Sequence, residues 1–193
     1  MKNIAIFASG SGSDMQSVVD ACESGKIDGK ICVLIASREG IFALERAKAH
    51  QIPCKVFDKN NYDSMQLLDK AIVDYLKAFN IDLIVLAGYL NIITPVLVQN
   101  YEGKMINIHP SLIPQYCGKG FYGMRVHNAV IANHEKFSGC TVHYVDCVTD
   151  TGKIIKQTKV EVLPDDTAET LQKRVLEQEH ILLPQVVAEL CKN

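Results

Sequence analysis

Leu83-Ile84-Val85-Leu86-Ala87 offers water no face. Successive side chains of a strand point to opposite sides, so a run that is apolar at every position is covered on both. Strands of that kind belong to parallel sheets packed between helices. Residues 4–8 and 31–36 read the same way, and residues 54–57 form a shorter third strand. Between these runs lie helical patterns: Met15, Val18, Val19 and Cys22; then Ala43, Leu44, Ala47 and Ala49; then Met65, Leu68, Ile72, Tyr75 and Phe79. Each recurs every three or four residues, which makes the stripes core rather than cofactor boxes. The expected fold is α/β, a Rossmann-like, mostly parallel twisted sheet with helices on both faces. Residues 139–145 and 154–162 add two strands joined by the polar turn 146–152, an antiparallel pair near the C-terminal part.

Composition narrows the partners. The net charge is −2 and no basic run occurs, so neither nucleic acid nor another polyanion is an expected partner. No apolar stretch approaches the ~20 residues that span a bilayer, and the first residues enter a core strand directly. The seven cysteines form no C-x-x-C pair, and several lie in apolar runs. The expectation is reduced thiols, a cytoplasmic address and no metal site.

After the first strand comes Ser9-Gly10-Ser11-Gly12-Ser13-Asp14, then a helix. Strand, glycine turn and helix aim backbone N–H groups at an anion. Met15 stands where a dinucleotide fingerprint needs its third glycine, and no G-K-[ST] follows, so the turn suits a monophosphate. A turn serving only tight chain reversal is the alternative. Asp14 is awkward beside a phosphate, and its side chain is expected to turn away or to cap the helix.

Met105-Ile106-Asn107-Ile108-His109-Pro110-Ser111-Leu112-Ile113-Pro114 starts as a strand and ends between prolines. Asn107 and His109, two apart, face one side of that strand, and the prolines stiffen the loop above it. An apolar loop, Leu90-Asn91-Ile92-Ile93, leaves the carboxyl end of the strand before it and could line a flat ligand. Residues 115–123 hold three glycines in a tightly turned loop with Lys119, which could close over a ligand. Asp150 lies in the polar turn, where a working imidazole could use a carboxylate; alone it reads as a surface turn residue. Lys59 could reach a phosphate or a carboxylate, although an exposed lysine is usually only solvated. The last helix begins at Asp166-Thr167-Ala168-Glu169, a capping-box-like start, and places Glu179 on its apolar stripe, where a carboxylate needs a ligand or a partner such as Arg174. Pro184 inside that helix predicts a bend.

Taken together, Asn107-Ile108-His109-Pro110-Ser111-Leu112-Ile113-Pro114, the Asp150 turn, Gln178-Glu179-His180 and the glycine turn resemble the phosphoribosylglycinamide formyltransferases, folate-dependent enzymes of purine synthesis. The resemblance covers nearly the whole chain and implies a formyltransferase fold as one domain, 1–193, with a phosphate-binding half (1–100) and a catalytic and folate-binding half (101–193). It implies transfer of a formyl group from 10-formyltetrahydrofolate to the amine of glycinamide ribonucleotide, without a metal. Asn107, His109 and Asp150 match the family's catalytic three. Gly12, Ser13 and Asp14 match its phosphate loop, with Asp14 where the family more often has Asn, and Leu176, Glu177, Gln178 and Glu179 match a stretch contacting the ribonucleotide. Leu90, Asn91, Ile92 and Ile93 match one folate-pocket segment, with Asn91 in place of a usual Arg. Asp146, Cys147, Val148, Thr149 and Asp150 match another, and Lys59 falls near a usual Arg. The implied partners are small molecules, bound by a monomer or homodimer. The alternatives are another user of 10-formyltetrahydrofolate, such as a deformylase, and a non-catalytic mononucleotide-binding module that would leave Asn107, His109 and Asp150 without a common focus.

Overall fold

A computed structural model describes residues 1–192. The first half alternates strand and helix: β1 (Lys2–Ala8), α1 (Ser13–Glu23), β2 (Gly29–Ala36), α2 (Phe42–Ala49), β3 (Cys54–Val56), α3 (Met65–Leu76), β4 (Leu83–Leu86) and α4 (Pro95–Asn100). β5 (Met105–His109), α5 (Met124–Ala132), β6 (Phe137–Tyr144), β7 (Ile154–Glu161) and the long α6 (Ala168–Cys191) complete it. Among the described residues these strands form one seven-stranded sheet in the order β3-β2-β1-β4-β5-β6-β7. The five strands from β3 to β5 are parallel; β6 runs antiparallel to β5, and β7 antiparallel to β6. The expected antiparallel pair is therefore present, and its first strand is also the one that flanks β5.

Alternation explains the two cores. Ile4, Ile6 and Ala8 of β1 and Leu83 and Val85 of β4 face one way, onto Met15 and Val18 of α1, Ala43 and Ala47 of α2, Val126 and Val130 of α5, and Leu171, Val175, Leu182 and Val186 of α6. Ala5, Phe7, Ile84 and Leu86 face the other way, onto Leu68, Ile72 and Leu76 of α3 and Leu97 of α4. Every residue of β4 is buried, as its uninterrupted apolar run requires. α6 passes through Pro184 without interruption and is capped not by a Glu but by a Thr167–Thr170 box: the Thr167 hydroxyl accepts from the Thr170 N–H, and the Thr170 hydroxyl from the Thr167 N–H. Asp166 instead takes both ends of the Arg174 guanidinium at 2.7 and 2.8 Å, which holds its carboxyl far below the usual carboxylate range.

The strand order reverses between β1 and β4. Chain leaving β1 turns toward β2, and chain leaving β4 turns toward β5, which opens a crevice at their carboxyl ends. Two hydrogen bonds stitch its floor: the Ser9 N–H donates to the Gly88 carbonyl (3.1 Å), and the Leu90 N–H to the Ser9 hydroxyl (2.9 Å). Beside it, buried Asp69 of α3 accepts the Thr94 N–H at 2.7 Å and fixes the start of α4.

Candidate active site

A cavity of about 620 Å³ fills this crevice, within the range usual for small-molecule sites. One wall is the exposed end of the β5–β6 pair. Ile106 and Ile108 of β5 and Cys140 and Val142 of β6 point into the α1–α6 core, so the alternating residues Asn107, His109, Thr141 and His143 share the opposite face. The antiparallel register sets Asn107 against His143 and His109 against Thr141. Asn107 Nδ2 lies 3.1 Å from His143 Nε2, while His143 Nδ1 lies 2.8 Å from the Tyr144 carbonyl oxygen. A carbonyl can only accept, so Nδ1 carries the proton and Nε2 accepts from the Asn107 amide. Burial drives the His143 pKa down, against the Tyr144 carbonyl and Asp150, which raise it. A neutral ring in that tautomer leaves the second N–H of Asn107 free to face the cavity.

His109, 4% exposed, is fixed in the same manner. Its Nε2 donates to the Tyr116 carbonyl at 2.9 Å, which turns Nδ1 toward Asp150 Oδ2 at 3.6 Å. Asp150 reaches inward from the β6–β7 connection with φ 58°, a left-handed conformation that Asp tolerates better than most residues. Oδ2 accepts the Gly118 N–H at 2.9 Å, and Oδ1 stands 3.7 Å from His143 Nε2. The Tyr116 segment is itself anchored: the Thr141 hydroxyl donates to the Ser111 carbonyl (2.6 Å) and accepts from the Ile113 N–H (3.2 Å) and Gln157 Nε2 (2.9 Å). Tyr116 closes the loop with its hydroxyl on Glu135 at 2.8 Å and its ring against Phe121.

The far end of the cavity is the first turn of α1. Gly12 caps that helix with φ 71°, and a Cβ there would stand 2.8 Å from Ala43 Cβ and 2.9 Å from Ala43 Cα. Only glycine lets the turn lie against α2. The leading N–H groups of α1 have no intrahelical acceptor, and they carry the positive end of the helix dipole. Asp14 does not cap the helix. Its Oδ1, buried and without a hydrogen-bond partner, lies 3.7 Å from His180 Nε2 on α6. Gln172, Leu176 and Glu179 of α6 complete the wall.

This geometry has counterparts. The signature of the formyl transferase family matches residues 2–187. The chain belongs to the formyl transferase family. It is 42% identical over 187 residues to the phosphoribosylglycinamide formyltransferase of Haemophilus influenzae, covering 97% of this chain and 86% of that one. Over 192 residues it is also 42% identical to the chloroplastic enzyme of that name from Vigna unguiculata, of whose length it spans 62%. The crystal structure of glycinamide ribonucleotide transformylase 1 from Geobacillus kaustophilus superposes with a TM-score of 0.93 at 39% identity, covering 99% of each chain.

Placed on this formyl transferase scaffold, Gly12, Ser13, Asp14, Leu90, Asn91, Ile92, Ile93, Asn107, His109, Asp146, Val148, Thr149, Asp150, Leu176 and Glu179 all line the one cavity. Four expected contacts do not. Lys59 opens a 3₁₀ turn after β3, the edge strand two places from β1, and Cys147 faces solvent between neighbours that line the cavity. Glu177 and Gln178 fall off the α6 face that carries residues 172, 176 and 179, because consecutive helical residues rotate by about 100°. Glu179 is not paired with Arg174, which Asp166 occupies. Sequence reasoning missed His143, which only the strand register ties to Asn107, and His127, a buried α5 residue on the cavity wall. Among the described residues no group of three or more His, Cys, Asp and Glu side chains is placed to hold a metal ion, and no helix is long and apolar enough to cross a membrane.

Proposed function

We propose that this chain transfers the formyl group of 10-formyltetrahydrofolate to the amine of glycinamide ribonucleotide. One observation carries the reading. Asn107, His109 and Asp150, from two distant segments, converge on a cavity whose other end is a glycine-capped helix N-terminus suited to a monophosphate. Family membership supports the chemistry, and the printed names of the relatives support the substrate pair.

The amine attacks the formyl carbon and leaves an oxyanion. The free N–H of Asn107 meets that oxygen; one such donor is typically worth ~3–4 kcal/mol of barrier. Since Nε2 of His109 is committed to Tyr116, Nδ1 is the nitrogen that exchanges a proton, under the Asp150 carboxylate. This pair takes the proton from the attacking amine and returns one to the departing folate nitrogen. The exposed apolar residues Leu90, Ile92 and Val148, between 58% and 62% open, border the cavity and suit the flat face of a pterin. Lys59, Cys147, Glu177 and Gln178 have no part in this scheme.

Purified protein mixed with glycinamide ribonucleotide and 10-formyltetrahydrofolate should yield formylated ribonucleotide and tetrahydrofolate. Omitting the ribonucleotide should stop release of tetrahydrofolate. Equal release in its absence would assign the chain to hydrolysis of the folate rather than to transfer.

A further inference from the structure

We propose that Asp14 and Glu179 hold one proton between them, and that this protonated pair is the form that accepts the ribonucleotide monophosphate, so that binding near neutral pH takes up a proton. The inference rests on the reading of the Gly12–Ser13 turn as the phosphate seat.

The two carboxyls approach from opposite walls, Asp14 from the first turn of α1 and Glu179 from α6, and both line the cavity. Glu179 is 7% exposed, and Oδ1 of Asp14 is sealed from solvent without a hydrogen-bond partner. Two carboxylates in so little water cannot both stay ionised without a counter-charge. Among the described residues neither carboxyl forms an ion pair with a Lys or Arg. Arg46 of α2 is turned onto the Ser11 carbonyl (2.9 Å) and Gln16 Oε1 (3.2 Å). His180 of α6 stands 3.7 Å from Asp14, yet its Nε2 makes no hydrogen bond, and burial, helped by Arg46, drives the ring toward its neutral form. Cys140 of β6 is a thiol pushed up to about 12, by burial and by these same two carboxyls. A proton is the counter-ion that remains. Burial accordingly raises Asp14 to about 6, and burial together with Asp14 raises Glu179.

A phosphate at the α1 N-terminus brings further negative charge beside Asp14. Ionised, Asp14 repels it; protonated, Asp14 offers an O–H donor beside the N–H groups of the turn. The bound phosphate therefore raises the pKa of the pair again, and the linkage follows: affinity falls as pH rises above the value at which the free pair loses its proton. Asn at this position would donate without titrating.

Calorimetric titration of glycinamide ribonucleotide into wild type and Asp14→Asn, each in two buffers of different ionisation heat, reads proton uptake directly. Above the pH at which the free pair loses its proton, wild type should take up close to one proton more than Asp14→Asn, and its Kd relative to the variant's should rise by about tenfold for each pH unit. The second ionisation of the phosphate, at ~6, is common to both proteins and cancels in that ratio. Glu179→Gln, which breaks the pair from the other wall, should reduce the excess uptake as well. Equal proton uptake with a Kd ratio independent of pH would overturn the proposal while leaving the phosphate seat in place. Failure of both proteins to bind the ribonucleotide at any pH would overturn it together with the reading of the turn.

Discussion

Thr141→Val exchanges one buried oxygen for a methyl group of almost the same shape, and tests how the loop after β5 is held. Thr141 is 0% exposed. Its hydroxyl serves the Ser111 carbonyl, the Ile113 N–H and Gln157 Nε2. The Gln157 amide keeps its other bond, to the Ile113 carbonyl at 3.0 Å, so the variant strands two backbone groups. At ~1–3 kcal/mol for each, less a few tenths for the added apolar surface, the expected loss is about 3 kcal/mol. In a chain of this size that lowers Tm by about 6–12 °C. The same loop presents the Tyr116 carbonyl to His109, so kcat should fall more than KM rises. Thr141→Ser, which retains the oxygen and loses one methyl, should cost only about 1 kcal/mol. Calorimetric and denaturant unfolding of the three proteins measures the series. A loss below about 1 kcal/mol for the Val variant, or a Ser variant as unstable as the Val, would refute the hydroxyl's role as the anchor.

Three further outcomes are expected. Asp150→Asn should lower kcat by about 10²–10⁴ with the ribonucleotide Kd nearly unchanged, as general acid–base help is lost and the phosphate seat is left alone; wild-type turnover would remove the assignment. Asp14 is raised from 3.8 to about 6 in the fold, so the native state keeps its proton while the unfolded chain releases one. Its stabilising contribution is complete below about pH 4 and lost as pH climbs through about 6, a swing of about 3 kcal/mol at 1.36 kcal/mol per unit. The Tm of Asp14→Asn minus that of wild type should therefore grow between pH 4 and pH 7, and a constant difference would count against the buried carboxyl. Gly12→Ala should destabilise by about 1–3 kcal/mol and raise the KM for ribonucleotide, because φ 71° and the Ala43 contact both resist a Cβ; an unchanged KM would separate that turn from the phosphate.

The parts of the fold written in side-chain periodicity could be read in advance. The two-sided apolar strands and the α3 stripe depend only on which faces are buried, and hydrophobicity reports that directly. Glu179 was visible because it breaks the apolar period of α6. Glu177 and Gln178 entered as part of a contiguous stretch, and helix phase then separated them from it. His143 carried no local signal: one imidazole in a strand is compatible with either face and many partners until the pairing register with β5 is known. Lys59 lies outside the cavity for a topological reason, and no pattern within residues 54–61 tells an edge strand from one beside the switch point. The capping-box-like start of α6 is realised by Thr167 and Thr170, while Asp166 just before it accepts from the Arg174 guanidinium.

The glycine-turn end of the cavity is built from α1 and α6, helices whose first residues stand about 155 positions apart in the chain. At 5–20 residues per second, synthesis delivers the second on the order of ten seconds after the first. Only at the end of that interval does a nascent chain carry the glycine turn, the strands β1 to β7 and the Asn107–His109 pair together, still without Glu179. The wall that α6 adds to the cavity, Gln172, Leu176 and Glu179, is therefore the last part of it to be synthesised.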